Sequence, residues 1–552
     1  MDEFEYHLTQ EIRAGRMSRR DFLVRASLAG IGLPSAAALL AGCFSTAQKT
    51  GAATSTSAAS AGNPQKGGTL NIAITQPASV VDPVTLYNQG GQTTAQIAGE
   101  YLCFPRADYS LDPRLAVSWK AVNPKEWTFQ LRQGVKWHSG AAFTADDVVY
   151  TMDLLTDPKS NSGALSAFKG ILSKGNVEKV DDHTVTFHLD SPFVDFPYLV
   201  SSFNFNSIIL PKGYQVGQFA KGHVGTGPFI LTSYSSDRGA KYVRNPSYWD
   251  PRYPYFDAIN LTYYQDNSTI ALNMQGGKEE LWQTAPYQGA QALLQNPKLT
   301  AIKSQSSGWR GVHLRTDQAP FDNVNARQAV ANAIDRKQIV SSLLGGYGAV
   351  GNDHSFAPVF PLSKQALQAV PQRQKDLSAA RANLAKAGHP RGFSVTLTTE
   401  NYLEIPQYAT LIKQQCAQVG IDIQLNVQTQ NAYFGSGSNQ PWLEVPMGIV
   451  DWGARGVPSQ AILPAFTSTG VWNSAHWSNS QFDTLFAQLN STLDNQSRLG
   501  IAAQLAKIQH DEVPEVLGYW LSNLRFTASN VHGLAEGPSD HLDTRTLWKS
   551  NA

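Results

Sequence analysis

The chain has 552 residues and a formal net charge of +1, from 44 Lys and Arg against 43 Asp and Glu. That balance excludes a broad basic face of the kind that holds nucleic acid, and 42% hydrophobic with 10% aromatic residues excludes a chain disordered throughout. Three cysteines (Cys43, Cys103, Cys416) without a CxxC pair exclude a disulfide scaffold and a cysteine zinc cluster.

In chain order the first feature is an export signal. Ser18-Arg19-Arg20-Asp21-Phe22-Leu23 is followed by Arg25, and no charge then stands before Lys49. The apolar stretch between them is broken by Gly30, Gly32, Pro34 and Ser35, and falls short of the roughly 20 residues that span a bilayer. It ends in Leu40-Ala41-Gly42-Cys43. A basic start, a short apolar segment and small residues before a cut site make a secretory signal. The Arg19-Arg20 pair resembles the twin-arginine export signal. The Leu-Ala-Gly-Cys tetrad resembles the lipobox of bacterial lipoproteins, which implies a lipid on Cys43 and a signal peptide over residues 1–42. One acyl chain alone holds weakly, so stable anchoring implies two or more. Residues 43–63 are expected to be a tether, because 16 of the 18 residues from 45 to 62 are Ser, Thr, Ala or Gly.

From about Gly68 strand and helix signals alternate. Trp127–Leu131 and Val185–Leu189 alternate apolar and polar residues and predict half-buried strands. Between them Thr144-Ala145-Asp146-Asp147 leads into Val148-Val149-Tyr150, a capping-box-like helix start. That makes the Asp146-Asp147 pair structural, and Asp181-Asp182, ahead of a strand turn, is read the same way. Gly346-Tyr347-Gly348-Ala349-Val350-Gly351 matches GxGxxG, yet helical Ile339–Leu344 stands where a dinucleotide site needs a strand. A glycine-rich turn after a helix is expected there. Leu377, Ala380, Leu384 and Ala387 recur at helical spacing until Gly388, with Pro390 as a breaker beyond. Gly420–Val427 alternates as a strand after another helix.

Signatures of catalysis are absent. The sequence contains no GxSxG nucleophile elbow, no GxxxxGK[ST] phosphate cradle and no histidine followed by glutamate among its 12. Cys103 and Cys416 are expected to be free buried thiols.

A set of short motifs then recurs in one order. Leu115-Ala-Val-Ser-Trp119, Trp127–His138, Phe143–Tyr150, Val224–Phe229, Asn245–Trp249, Pro320–Asp322, Arg327–Val330 and Ala333–Arg336 together resemble the extracellular solute-binding proteins, family 5, of peptide-type ABC importers. The similarity covers nearly all of residues 68–550. It implies an α/β, two-lobed type II periplasmic-binding fold with an extra subdomain in lobe I. Lobe I would hold 64–311 and 523–552, and lobe II 312–522, with backbone crossings near Ser307–Leu314 and Ser522–Arg525. The resemblance further implies a monomeric binding protein, not an enzyme; its members carry peptides, nickel, haem, oligosaccharides or opines, and here no cofactor is expected and no metal, since no His/Cys cluster stands out. Such a protein hands its solute to the membrane subunits of a permease driven by cytoplasmic ATPases, here from the extracytoplasmic face of the membrane through lipid on Cys43. A secreted hydrolase with an unrecognised site, and a binding protein serving a sensor, stand as the alternatives.

The expected cleft residues cluster late in the chain. Trp442, Trp452, Trp472 and Trp477 fall within 36 residues and fit either a lobe core or an aromatic-lined cleft. In peptide-binding members the resemblance implies a Trp-x-x-Asp motif whose carboxylate meets the peptide ammonium, but this chain has Trp452-Gly453-Ala454-Arg455. A guanidinium there prefers carboxylate or phosphate, and a free peptide N-terminus facing it is penalised. Either Arg455 is satisfied inside the protein, for instance by Asp451, or the cleft accepts an anionic solute such as a sugar acid, an opine-like conjugate or a blocked peptide. Further candidates are Tyr433 beside Phe434, Asn473 and His476 near Trp472, His354 in the loop after the glycine turn, and Gln76 in the Thr75–Asp82 loop; each has a structural reading as well.

Overall fold

The alternating strands and helices assemble, in the computed structural model, around an eleven-stranded mixed sheet. Residues 63–77, 79–222, 225–435, 439–537 and 541–550 are described. Arg19, Arg20 and Cys43, and with them the signal peptide and nearly all of the tether, lie outside the described residues. Among the described residues no helix is long and apolar enough to cross a membrane.

The sheet comprises β1 (Thr69–Thr75), β2 (Phe229–Ser235), β3 (Gly239–Arg244), β4 (Ala258–Tyr264), β5 (Leu281–Trp282), β6 (Leu299–Leu314), β7 (Gly348–Val350), β8 (Ser394–Glu400), β9 (Asp422–Gln428), β10 (Met447–Trp452) and β11 (Glu515–Ala528). Their order is β9-β8-β10-β6-β11-β5-β1-β4-β3-β2, with β7 also paired to β11. Parallel pairs join β8 with β9 and β10 on one side and β1 with β4 and β5 on the other, where antiparallel β3 and β2 complete the edge. Long antiparallel β6 and β11, 16 and 14 residues, join the two ends. Their register slips twice, between Arg310–Tyr519 and Gly311–Leu517 and, more widely, between Gln305–Ser522 and Trp309–Trp520, where Ser306, Ser307 and Gly308 stand opposite Leu521 alone. A bulge of this kind bends a strand and leaves backbone unpaired for other partners.

Separate cores cover the two ends: Leu397, Ile412, Ile423, Met447 and Ile449 on the β8–β10 side, and Leu70, Ile72, Ile259 and Leu261 on the β1–β4 side. A four-stranded antiparallel sheet stands apart, from Ala116–Asn123, Glu126–Leu131, Val177–Asp181 and Thr184–His188. Phe129 meets Phe187 and Phe196 edge to face, and those two tilt against each other, with centroids 4.8–6.3 Å apart.

Local chemistry explains the elements. Helix Ala145–Thr156 starts at a capping box in which Asp147 accepts the Thr144 N–H at 2.9 Å. Asp146 pairs with Lys179 and Lys212, and Asp181 caps the turn at His183 and Thr184, so both acid pairs serve structure. Helix Leu377–Lys386 is capped by Asp376 and followed by left-handed Gly388 at φ +84°. The GxGxxG segment is a turn: helix Arg336–Leu344 ends at left-handed Gly345 and the chain enters β7. Cys103 and Cys416 are buried and free, and burial pushes the Cys416 thiol up to about 12.

Candidate ligand cleft

Where β10, β6 and β11 lie side by side, Trp309 faces Trp452 and Trp520, and the next residue, Arg310, faces Asp451 and Tyr519. Successive side chains point to opposite faces of a sheet, so the same three strands carry an indole row on one face and an ionic row on the other.

The Trp309 and Trp452 rings stack with centroids 5.1 Å apart and planes at 13°. Trp520 lies 5.6 Å from Trp309, and Trp442 and Trp472 lie 6.2 and 6.3 Å from Trp452. Aromatic pairs of this geometry contribute about 0.5–1.5 kcal/mol beyond the area they bury. Trp309 Nε1 donates to Glu515 Oε1 at 2.6 Å. Burial pushes the Glu515 carboxyl up to about 7, with the Trp309 and Trp452 indoles holding it back.

On the opposite face Arg310 is buried, with Nε 3.1 Å from Glu404 Oε1. Tyr519 Oη donates to the same oxygen at 2.8 Å, and Gln430 Nε2 donates to Glu400 Oε2 at 2.6 Å. Burial and the neighbouring Asp451 push Glu400 up to about 8, and burial raises Asp451 as well. One guanidinium stands among three carboxyls, and burial disfavours the charged forms of Glu400 and Asp451 alike.

After Trp452 the chain turns through Gly453–Val457 into helix Pro458–Ala465. The Arg455 N–H donates to Ser307 Oγ at 2.8 Å, and that hydroxyl donates to the Arg455 carbonyl at 2.6 Å. Ser307 sits in the β6 bulge and its own N–H donates to Tyr109 Oη at 3.0 Å. Arg455 is half-buried, and its Nη1 donates to the Ala454 carbonyl at 3.1 Å. The Tyr109 ring stacks on Phe203 at 5.5 Å and meets Phe360 edge-on at 5.6 Å. Gly456 packs under Tyr198 and Phe203, where a Cβ would stand 2.4 and 2.5 Å from their ring atoms.

Trp452 and Trp472 are brought together, Arg455 follows Trp452 on the next turn, and fully buried Tyr433 joins the indoles through Phe434 and Trp442. Trp442, Trp452 and Trp477 are core residues, while Trp472 is half-buried. Asp451 faces Arg310. Asn473 shapes a turn, donating to the Thr467 and Trp477 carbonyls at 3.1 and 2.7 Å. His476, at φ +50°, faces Asp317 at 3.1 Å. His354 is buried beside Asp353, which Arg336 and Arg373 hold at 2.6 and 2.7 Å, and burial lowers its imidazole to about 4. Gln76 donates to the Ser236 carbonyl at 3.0 Å beside Gln265. Tyr109, Tyr198 and Phe203 left no mark in the sequence, and Ser307 entered only as one bound of an expected backbone crossing; Ser306-Ser307-Gly308 inside a strand is the signal that marks a bulge.

The family model for bacterial extracellular solute-binding proteins, family 5 (middle region), matches residues 110–474. Heme-binding protein A of Haemophilus influenzae is 27% identical over 470 residues, covering 79% of this chain and 83% of its own length. Glutathione-binding protein GsiB of Escherichia coli K12 is 30% identical over 393 residues, 68% of this chain and 74% of its own. Among solved structures, the periplasmic binding protein DppA of Helicobacter pylori, in complex with the peptide STSA, matches with a TM-score of 0.74 at 22% identity, over 88% of this chain and 99% of that one. The fold is the two-lobed α/β architecture of periplasmic binding proteins.

Proposed function

The chain belongs to the bacterial extracellular solute-binding proteins, family 5, which serve transport and are not enzymes, and from that premise we propose that it captures an anionic, peptide-like solute between its lobes for an ABC importer. Arg455 carries this reading: a guanidinium on the Trp452–Arg455 turn, fixed through its backbone to Ser307 in the β6 bulge. Lobe I is taken as 64–311 with 523–552 and lobe II as 312–522, and the hinge as the irregular stretch of β6 and β11 around Ser306–Gly308 and Leu521. A solute touched from both sides favours closure, because only the closed state offers both sets of contacts.

A carboxylate presented to Arg455 gains a charge-assisted, bidentate partner that a peptide ammonium does not. Relatives named for glutathione and for heme support the class, since both molecules bear carboxylates and are anions at neutral pH. Trp472, half-buried beside Trp452, offers an aromatic surface for the rest of the solute; Tyr433, Asn473, His476, His354 and Gln76 complete the candidate set. In the cell the Arg19-Arg20 signal exports the protein, lipid on Cys43 holds it at the membrane, and the permease subunits receive the solute.

A thermal-shift panel tests this reading, setting glutathione, amino-acid–sugar conjugates and N-acetylated peptides against free peptides with neutral side chains. A tight ligand at a thousandfold excess over its Kd stabilises by about 4 kcal/mol. Melting temperatures that rise with the anionic solutes are the expected result. A rise with free peptides alone would show that Arg455 does not select the solute.

A further inference from the structure

Resting on the two-lobe reading above, we propose that Asp195 is a positioning residue for capture, a lobe I carboxylate that locks the helix after the Arg455 turn into the closed cleft. Asp195 stands just before helix Phe196–Leu199. Its Oδ2 accepts from Ser459 Oγ at 2.6 Å and from Arg498 Nη2 at 2.6 Å. Ser459 lies in the first turn of helix Pro458–Ala465, four residues past Arg455, and Arg498 lies in helix Asn495–Glu512. All three are buried, with 4%, 0% and 8% of their surface exposed.

The same segment meets lobe II twice more. The Val194 N–H donates to the Asn490 carbonyl at 3.0 Å, and the Tyr198 and Phe203 rings cover Gly456. Asp195 is the one charged residue in 194–203. A buried carboxylate and guanidinium are compatible only as a pair, and this pair exists only while the lobes touch. Opening separates it. Closure through Asp195 therefore sets where the helix that continues the Arg455 turn stands, and it holds a large share of the solute-free protein in the binding-competent state. A larger competent fraction raises apparent affinity in proportion.

The test reads conformation without any solute. Nitroxide labels go on Val180→Cys and Leu367→Cys, exposed positions of lobes I and II, in the full chain carrying Cys43→Ser; buried Cys103 and Cys416 stay unlabelled. Electron–electron distance measurement is expected to give one dominant short distance. Asp195→Asn should move most of the population to longer distances, and Ser459→Ala should move a smaller share the same way. A residue with only a structural role would lower the melting temperature and leave the distances alone. An unchanged distribution in Asp195→Asn overturns the proposal; should that variant not fold, an unchanged distribution in Ser459→Ala does so. Failure of the solute panel leaves this readout intact, so the two readings fail separately.

Discussion

Arg310 lies inside the sheet and Arg455 on the turn that follows β10, and their surroundings differ. Arg310 faces Asp451, Glu404 and Glu400, with more carboxyl around it than one guanidinium neutralises, so its chemistry is complete inside the protein. Arg455 follows the end of β10 in a half-buried turn, held by its backbone to Ser307 and bonded through Nη1 to a main-chain carbonyl. Position makes the difference: Arg310 lies within β6, opposite Asp451 and Tyr519, whereas Arg455 lies past the end of β10. The comparison breaks most sharply at Arg310→Gln, which strands buried carboxyls without their cation. Removing one partner of a buried pair costs about 3–5 kcal/mol, and urea unfolding should register a loss of that size. A loss under about 1 kcal/mol would mean that the carboxyls carry enough protons to do without the arginine.

Next in size is the pH response of the buried groups. Glu100 and Glu515 titrate near 7 and Glu400 near 8 because burial disfavours their charged forms. What such raised carboxyls contribute is fully present below the ordinary carboxylate range and is lost as pH climbs through 7 to 8. His313 and His541, lowered by burial to about 3, and His354, lowered to about 4, act in the opposite sense, losing their contribution as pH falls below the ordinary imidazole range. The two slopes oppose each other between about pH 4.5 and 6.5, so the urea midpoint should be nearly flat there. Above that window stability should fall by on the order of 2 kcal/mol up to pH 8.5, at about 1.4 kcal/mol per pKa unit. Arg310 holds Glu400 down, so Arg310→Gln should carry the alkaline limb to higher pH. A limb that stays in place would remove Glu400 from the ionic row.

Arg455→Ala should act on binding instead. Loss of a charge-assisted hydrogen bond, about 1.5–3 kcal/mol, weakens an anionic solute by about tenfold to a hundredfold. Stability should change by less than about 1 kcal/mol, as for other half-buried charges. Calorimetry with the strongest anionic solute of the panel measures the first and urea unfolding the second. Unchanged affinity would show that Arg455 does not hold the solute.

Elements whose partners lie close along the chain were legible in the residues. Strand Glu126–Leu131 alternates buried and less buried side chains as its spacing predicts, and helix Leu377–Lys386 starts and stops at its Asp and Gly signals. Arg455 stood out because the resemblance led one to expect an acid there. Distant partners left no such mark: Ser307 meets Tyr109 across 198 residues, and Asp195 meets Arg498 across 303. Arg310 looked like any strand arginine, since only its register with β10 places it opposite Asp451. Tryptophan density located the aromatic cluster without sorting Trp442, Trp452 and Trp477, in the core, from half-buried Trp472.

The smallest expected effect separates two glycines of the Arg455 turn. A Cβ on Gly456 would stand 2.4 Å from Tyr198 and 2.5 Å from Phe203, whereas a Cβ on Gly453 meets nothing nearer than Arg455 Nη1 at 3.5 Å. Tyr198 is half-buried and Phe203 buried, so their rings have to shift before a methyl fits at Gly456. Overpacking of that kind costs about 1–3 kcal/mol, and it arises only where Tyr198 and Phe203 cover the turn. Gly456→Ala should therefore lose about 1 kcal/mol of stability and weaken the anionic solute about fivefold, because the strain falls on the closed state that binds it. Gly453→Ala should leave both within about 0.5 kcal/mol, as substitutions without close neighbours usually do. Equal behaviour of the two variants would mean that Tyr198 and Phe203 do not rest on the turn when the solute is held, and the lobe contact would then have to form elsewhere.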